Sequence, residues 1–362
     1  MNSFALFRLP YEQVVTRVVQ HDRQPVAGQV FSDVYRQKGF VFAPFAVSDD
    51  CPLLLIRADE VCKCPLDELT EELLRSELGS PFLCESSWRK TGVTDERSAY
   101  HEAFRLFHGA LSDGTFNKLV LSRCSHVSGS TVSPFHLFLR ACRDYPRMFV
   151  AMVSTPLSGT WLMASPELLI EGKDDVWHTM ALAGTMRLEN EQLAFDNPSR
   201  EGVQNIRWSQ KNIQEQRYVA SYIMHQLSAH TREIEEQGPF TKRAADLVHL
   251  CSDFRFSFKG DSDVDEVVQS LHPTPAVCGL PKRTARDFIL LHEPWRRRYY
   301  SGYCGPLALD SSTHLFVSLR CMEICQEGYD LYAGGGLLRD SIEQQEWDET
   351  EAKLQTMRRI IR

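Results

Sequence analysis

Strand-like and helix-like stretches of this chain occur in separate groups, and that grouping constrains the fold more than any other feature. A strand rich in β-branched and apolar residues is predicted at Lys118–Val127. Further strands are predicted at Met148–Ser154, Thr160–Ala164, Glu167–Glu171, Val176–Leu182, Tyr299–Cys304, Thr313–Ile324 and Tyr329–Gly334. Because strands and helices are segregated rather than alternating, we predict an α+β fold with antiparallel sheets.

Amphipathic helices are predicted around these strands. Thr94 can cap the first, whose apolar face consists of Tyr100, Phe104, Phe107 and Leu111. A long helix is predicted from about Ser209 to Glu236, with an apolar stripe at Val219, Ile223 and Leu227. Ser341 and Gln344 fit a capping box for a C-terminal helix, whose buried side is predicted to hold Trp347, Thr350, Leu354, Met357 and Ile361.

The first 90 residues carry few chemical signals. Val41–Phe45 and Leu53–Ile56 are typical of strands, and we interpret this part as scaffold that packs on the rest. The sequence has no internal repeat and no low-complexity linker. We therefore predict a single domain over residues 1–362, with a variable part at 1–90 and a functional core at 91–362.

Composition narrows the classes of partner. The formal net charge of −8 argues against nucleic acid, although a local cluster of Lys and Arg could still bind an anionic small molecule. No apolar run approaches the roughly 20 residues that span a bilayer, and the N-terminus lacks a basic signal region, so we expect a cytoplasmic protein without a membrane partner. We expect a monomer or a weak dimer.

The cysteines do not indicate a metal site. There are eleven, an odd number, and neither Cys62/Cys64 nor Cys321/Cys325 has zinc-ribbon spacing. Reduced structural thiols are the interpretation that this pattern favours.

Two charged residues on predicted strands could transfer protons. Lys118 has apolar neighbours, and a lysine that loses hydration in a cleft can act as a base, although the strand alone favours an edge lysine whose ammonium group reaches solvent. Glu167 precedes Leu168, Leu169 and Ile170, and a carboxyl group among apolar side chains can keep its proton and act as an acid. The alternative for Glu167 is a solvated carboxylate at the start of a strand.

Carboxylates on two predicted helices are candidates for a metal site. Glu215 lies on the long helix, and Glu349 lies on the last helix with Lys353 one turn later on the same face. In isolation, both glutamates also fit solvated helix faces, and Glu349–Lys353 also fits a surface ion pair.

Taken together, these motifs resemble the chorismate-utilising enzymes. The resemblance rests on Lys118-Leu-Val-Leu-Ser-Arg123, Ser165-Pro-Glu167, Ala181-Leu-Ala-Gly-Thr185 and Glu346-Trp-Asp-Glu349-Thr-Glu-Ala-Lys353, which occur in the family's order. Leu271-His-Pro-Thr-Pro-Ala-Val277 is similar to the isochorismate and salicylate synthase branch. The resemblance covers about residues 90 to 362 and implies a two-lobed α+β body with its active site in a cleft between the sheets.

The resemblance assigns roles to these residues. It implies that Lys118 is the base that activates water, that Glu167 is the acid that protonates a departing hydroxyl, and that Glu215 and Glu349 bind Mg²⁺. It implies that the substrate, chorismate, contacts Gly184, Thr185, His249, Tyr300, Arg320, Gly334 and Lys353, with His272 as a further candidate. Ala183 stands where aminodeoxychorismate synthases commonly carry a nucleophilic lysine, and alanine leaves room for water.

Departures from the family pattern are few. Ala181 replaces a proline, Gln216 replaces the usual histidine after the metal glutamate, and Cys278 replaces a glycine. The reaction implied is Mg²⁺-dependent conversion of chorismate to isochorismate, for either menaquinone or siderophore synthesis. Salicylate synthase, which also expels pyruvate, is the nearest alternative. Anthranilate synthase fits less well because the lysine base suits water, and a chorismate-binding protein without turnover is a further alternative.

Overall fold

The computed structural model describes residues 2–22, 24–129, 132–187, 207–244, 247–260 and 263–362. These residues form two nine-stranded sheets flanked by α-helices, in agreement with the predicted α+β class. The strands are β1 Ser3–Arg8, β2 Val14–Gln20, β3 Val26–Gly28, β4 Gly39–Ala43, β5 Leu53–Arg57, β6 Glu60–Pro65, β7 Lys118–Ser128, β8 Phe149–Thr155, β9 Gly159–Ser165, β10 Leu168–Lys173, β11 Val176–Arg187, β12 Thr231–Ala244, β13 Leu247–Phe258, β14 Gly279–Leu280, β15 Tyr303–Leu307, β16 Ser312–Val317, β17 Cys321–Cys325 and β18 Gly328–Leu337. The helices are α1 Glu71–Leu78, α2 Glu96–Ser112, α3 Pro134–Asp144, α4 Gln210–His230, α5 Asp263–Leu271, α6 Lys282–His292 and α7 Glu343–Ile361.

Both sheets combine strands from the N-terminal and C-terminal parts of the chain. Sheet A runs β14-β7-β18-β17-β9-β8-β1-β2-β6, and sheet B runs β12-β13-β11-β10-β16-β15-β4-β5-β3. Neighbouring strands within both sheets pair antiparallel wherever the structure describes them. The N-terminal strands therefore extend both sheets, with β1, β2 and β6 in sheet A and β3, β4 and β5 in sheet B.

An aromatic core fills the space between the sheets. Phe149 of sheet A stacks on Phe316 of sheet B with ring centroids 4.2 Å apart, and Phe42 stacks on Tyr299 at 4.0 Å. All four rings are buried. Phe42, Phe149 and Phe316 lie on strands whose alternate residues point to the same face, and Tyr299 precedes β15. Burial of such rings contributes a large share of the stability of an inter-sheet core.

Two of the short links through which the chain crosses between the sheets are neighbours in space. Residues 166–167 join β9 of sheet A to β10 of sheet B, and residues 318–320 join β16 of sheet B to β17 of sheet A. The links lie side by side, because Ala164 N donates to Arg320 O at 3.0 Å and Val317 N donates to Glu167 O at 3.0 Å. The single strand predicted at Thr313–Ile324 is therefore wrong: Arg320 has a φ of +47°, and the chain changes sheets there.

The long helix predicted to reach Glu236 is also wrong in its second part. Helix α4 ends at His230, and Thr231 Oγ1 closes its last turn by donating to Leu227 O at 2.8 Å. The charged residues that follow form β12, which is the edge strand of sheet B. An edge strand leaves one row of backbone N–H and C=O groups unpaired, and charged side chains such as this run of glutamates are common on such strands.

The predicted caps differ from those observed. Asp95, not Thr94, is the N-cap of α2, where its side chain accepts a hydrogen bond from Arg97 N. Helix α7 starts at Glu343 without a capping box, because Ser341 Oγ accepts from Leu338 N instead. The strand predicted at Tyr299–Cys304 begins only at Tyr303, since Ser301 adopts a φ of +61°.

Helices α1, α3, α5 and α6 were not predicted from the sequence. None of the helices formed by the described residues has the combination of length and apolar character needed to cross a membrane. The two helices that matter for function are α4, which packs on β11, and α7, which packs on β18.

We expect Phe149→Ala to lower the free energy of unfolding by about 3–5 kcal/mol, because it removes a fully buried ring from the stack with Phe316. Urea denaturation followed by circular dichroism measures this. Leu106→Ala, at a position 53% exposed on α2, is the control and should shift stability by only about 0.5 kcal/mol. A loss at Phe149 no greater than at Leu106 would contradict the proposed inter-sheet core.

Candidate active site

A cavity of about 580 Å³, its open side included, lies between the two sheets next to the links. Strands β11 and β13 of sheet B, β7 and β18 of sheet A, helices α4 and α7, and both links supply its walls. The lining residues include Val120, Glu167, Leu182, Ala183, Gly184, Thr185, Glu215, His249, Val277, Tyr300, Leu319, Arg320, Tyr332, Gly334, Gly336 and Lys353.

Lys118 starts β7 immediately behind this lining. Its side chain is fully buried, and its Nζ lies 3.0 Å from Glu215 Oε1, which reaches across from α4. Gly336 on the neighbouring strand makes this pairing sterically feasible: a Cβ at that position would lie 2.0 Å from Glu215 Oε1 and 3.1 Å from Lys118 Cε. The amine is therefore held at the cavity edge, out of bulk solvent.

Glu167 lies on the link from sheet A to sheet B and is 2% exposed. Burial raises the pKa of Glu167 to about 7, partly offset by the nearby Lys118 ammonium and by the Thr274 hydroxyl, which donates to Oε1 at 3.3 Å. A carboxyl group with this pKa can hold a proton near neutral pH and release it during a reaction.

Three carboxylates and three ammonium groups meet at one end of the cavity. Lys118 pairs with Glu215, Lys353 Nζ lies 2.7 Å from Glu349 Oε1, and Lys211 is ion-paired to Glu346. In this arrangement the three carboxylates do not all lie within 4.8 Å of one another. Each of the three carboxylates has an ammonium partner within the protein.

The two carboxylates on α7 differ in proton affinity. Burial and the neighbouring Glu349 charge raise the pKa of Glu346 to about 7. Burial alone would raise the pKa of Glu349, but Lys353 and Lys211 lower it below its ordinary value. Glu346 Oε2 is buried without a hydrogen-bond partner among the described residues. Hard oxygen donors in this number suit a divalent cation that binds carboxylates.

Arg320, on the link at residues 318–320, places a buried guanidinium group in the cavity wall. It is 5% exposed, and burial lowers its pKa to about 10, so it remains charged at neutral pH. Its NH1 donates to Thr356 Oγ1 at 3.3 Å, and its NH2 lies 3.0 Å from His249 Nε2. Within the described part of the chain, Arg320 forms no ion pair with a carboxylate, which is the typical arrangement of an arginine that receives an anionic ligand.

His249 orients that guanidinium group. Burial, followed by the Arg320 charge, lowers the pKa of His249 far below its ordinary value, so the ring is neutral. Its Nδ1 lies 3.1 Å from Gly184 O, a contact that requires the proton on Nδ1. The Nε2 lone pair is then available to accept the hydrogen bond from Arg320.

The sequence motif around Gly184 forms a β-bulge rather than a regular strand. The register between β11 and β13 shifts between Ala183 and Thr185, and Gly184 has a φ of +70°, which favours glycine. A Cβ there would lie 3.1 Å from Asn212 of α4, so the close approach is to this helix. Thr185 is thereby turned toward His249, whose Nδ1 lies 3.3 Å from Thr185 Oγ1.

Tyr300 and Gly334 complete the wall beside sheet A. The Tyr300 ring stacks on Tyr332 at 5.6 Å, and burial raises the pKa of Tyr300 well above its ordinary value, so the phenol keeps its proton as a donor. Gly334 O accepts a hydrogen bond from Lys353 Nζ at 2.8 Å, and a Cβ at Gly334 would lie 2.7 Å from Tyr300 Oη. A side chain at position 334 would therefore displace Tyr300.

The structure brings the predicted site residues together. All of them line the cavity except Lys118 and Glu349, which are ion-paired to the lining residues Glu215 and Lys353. His272 does not line it: its Nε2 lies 3.0 Å from Pro44 O, and burial lowers its pKa to about 3, which is typical of a structural histidine.

Sequence reasoning missed Lys211, Glu346 and Thr274. Spacing offered a signal for the first two, because Lys211 lies one turn before Glu215 and Glu346 one turn before Glu349. Thr274 gave no such signal, since its hydroxyl meets Glu167 only through the tertiary fold.

The two-sheet α+β body encloses a cavity with a buried amine, a buried carboxyl group and a buried arginine, groups that can transfer protons and bind an anion. The family described as chorismate binding enzyme matches residues 58–362, and the chain belongs to that family. The chain is 29% identical over 273 residues to isochorismate synthase MenF of Escherichia coli K12, covering 74% of this chain and 61% of MenF. It is 31% identical over 260 residues to isochorismate synthase DhbC of Bacillus subtilis 168, covering 69% of this chain and 64% of DhbC.

A solved structure supports the fold. The menaquinone-specific isochorismate synthase MenF from Escherichia coli superposes with a TM-score of 0.76 at 22% identity, covering 100% of this chain and 89% of that one. The match to the two curated relatives spans less than two thirds of their length.

Proposed function

We propose that this protein is an isochorismate synthase that converts chorismate to isochorismate with Mg²⁺. The observation that carries the proposal is the arrangement of Lys118, Glu167 and Arg320 around one cavity: a buried amine, a carboxyl group that keeps its proton, and a guanidinium group without an acidic partner among the described residues. Chorismate carries two carboxylates and a ring hydroxyl, which match these groups. The two relatives, both named isochorismate synthases, agree with this proposal.

The reaction exchanges the position of a hydroxyl group on the ring. Lys118, with its amine unprotonated, removes a proton from a water molecule, whose oxygen attacks ring carbon C2. The ring double bonds shift, and the bond from C4 to its hydroxyl oxygen breaks as Glu167 donates its proton, so that the hydroxyl leaves as water. Acid–base catalysis of this kind requires a donor and an acceptor on separate elements, as the link and β7 provide.

The carboxylate cluster fits Mg²⁺. Glu215 and Glu349 would hold the ion, with Glu346, whose Oε2 has no hydrogen-bond partner among the described residues, beside them. When bound, Mg²⁺ would supply positive charge for the ring carboxylate of the substrate. Arg320 and the Tyr300 phenol would bind the second carboxylate, and His249 would hold the Arg320 guanidinium in place.

The decisive experiment incubates the protein with chorismate and Mg²⁺ and separates the products by chromatography. We expect isochorismate, without pyruvate, and no product in the presence of EDTA. Salicylate with stoichiometric pyruvate would identify the protein as a salicylate synthase instead. Binding of chorismate by calorimetry without any conversion would overturn the proposed enzyme.

The protonation state of Glu167 predicts the pH dependence of the rate. Its pKa is raised to about 7, and only the protonated form can serve as the acid, so the acid is available below that pH and is lost above it. While the Lys118 amine stays unprotonated, we expect kcat to fall roughly tenfold per pH unit on the alkaline side. Steady-state rates across neutral and alkaline pH measure this, and a kcat that stays constant well above neutral pH would mean that another group protonates the leaving hydroxyl.

A further inference from the structure

A buried ion pair lies behind the cavity wall. Arg297 is 4% exposed, and its guanidinium group binds the Glu293 carboxylate with two hydrogen bonds, Nε to Oε2 at 2.8 Å and NH2 to Oε1 at 2.6 Å. The pair also bonds to the backbone of other segments. Arg297 NH1 donates to Val277 O at 2.6 Å and NH2 donates to Val120 O at 2.8 Å, while Glu293 accepts from both the Ser122 amide and hydroxyl groups.

The segments held by this pair carry the proton-transfer groups. Val120 and Ser122 lie on β7, two and four residues after Lys118. Val277 N donates to the carbonyl oxygen of Thr274, whose hydroxyl holds Glu167 Oε1. The pair thus connects the strand of Lys118 to the segment that supports Glu167.

The same pair also positions Tyr300. The Tyr300 amide donates to Arg297 O at 2.9 Å, so the turn that presents the phenol begins at the ion pair. Val120, Val277 and Tyr300 all line the cavity. A movement of Arg297 would therefore displace all three of these lining residues.

We propose that Glu293 and Arg297 are positioning residues that fix the separation between Lys118 and Glu167 and the place of Tyr300. This role rests on the proposed function. Neither residue needs to touch the substrate, because the hydrogen bonds of the planar guanidinium group fix the positions of the Val120 and Val277 carbonyl oxygens. Misplacement of reacting groups by about 1 Å can lower a rate by roughly 10²-fold, so such a brace is consequential.

The first test is Arg297→Lys, which keeps the positive charge beside Glu293 but cannot form the four hydrogen bonds together. We expect kcat to fall by roughly 10- to 100-fold with KM changed by no more than about twofold. Arg8→Lys is a matched control. Arg8 is also a buried arginine, and it binds the carbonyl oxygens of Leu9, Tyr145, Pro146 and Met148, none of which lines the cavity. Its kcat per folded molecule should be unchanged.

A second variant separates positioning from folding. Glu293→Leu combined with Arg297→Met replaces the charges by apolar side chains, a change that buried ion pairs often tolerate without loss of stability. We expect this variant to fold, judged by its circular dichroism and melting temperature, and to show the same loss of kcat. A wild-type kcat per folded molecule in Arg297→Lys, or a defect confined to melting temperature, would overturn the proposed role.

The two proposals fail in different ways. If the wild-type protein forms no isochorismate, the proposed function is wrong and the positioning role fails with it. If the wild-type protein is active and Arg297→Lys is equally active, only the positioning role is wrong.

Discussion

Glu167→Gln should lower kcat by roughly 10²–10⁴-fold while chorismate still binds, because the amide preserves the volume of the side chain but cannot deliver a proton. Hydroxide is a poor leaving group near neutral pH, so the reaction depends on a donor at C4. Glu167 is a buried carboxyl group that lines the cavity, and its raised pKa lets it hold the proton that such a donor must deliver. The loss should appear equally in kcat and kcat/KM, since the interaction exists only in the transition state.

Steady-state kinetics with a parallel calorimetric binding measurement test this expectation. Glu171→Gln is the matched control, because Glu171 lies on the adjoining strand β10, does not line the cavity and pairs with His314 at 2.9 Å. That variant should retain wild-type kcat. A large rise in KM at unchanged kcat for Glu167→Gln would make Glu167 a substrate-binding residue, and another acid would have to be found.

Lys118→Met should be similarly inactive, with kcat reduced by roughly 10²–10⁴-fold, since methionine approximates the length of lysine but cannot accept a proton. This substitution also leaves Glu215 without its ammonium partner, and removing one member of a buried pair costs about 3–5 kcal/mol of stability. Activity must therefore be normalised to the folded fraction, measured by thermal denaturation.

Lys118→Arg distinguishes the two roles of this lysine. Arginine retains the positive charge beside Glu215 but does not release its proton near neutral pH, so an ion-pairing role predicts activity and a base role predicts its loss. Lys63→Met removes an ammonium group whose side chain is 55% exposed and pairs with Asp310, and it should leave the rate unchanged. Near wild-type turnover in Lys118→Arg would show that Lys118 is not the base.

Local sequence patterns predicted the strands of the fold better than their connections. The runs at Lys118–Val127 and Met148–Ser154 were found because β-branched and apolar residues mark them without reference to the rest of the chain. The break at Arg320 and the edge strand after His230 were not found. Both depend on where a sheet ends and where the chain changes sheets, which are tertiary properties that local propensity does not encode.

The sequence predicted site residues that lie in local motifs better than those that act through tertiary contacts. Residues in extended motifs, such as Glu167 and Glu349, were predicted from the family resemblance, and the structure places them around one cavity. Thr274 and the Glu293–Arg297 pair were missed, because they act through hydrogen bonds to groups distant in sequence. The close approach of the Gly184 backbone to Asn212 was also missed, because it lies within a bulge that periodicity cannot reveal.

The links at residues 166–167 and 318–320 limit where this chain can tolerate extra residues. Glu167 and Arg320 lie on links of two and three residues, 166–167 and 318–320, and each link accepts a backbone hydrogen bond from a strand residue next to the other. One inserted residue would reverse which face of the next strand points inward. The turn at Gln326–Glu327 between β17 and β18 is not subject to that constraint, because it lies at the opposite end of β17 from the Arg320 link. Peptide tags and reporter fusions inserted within the chain therefore belong at such hairpin ends, and lengthening either link would separate the acid from the guanidinium group while leaving every catalytic residue in the sequence.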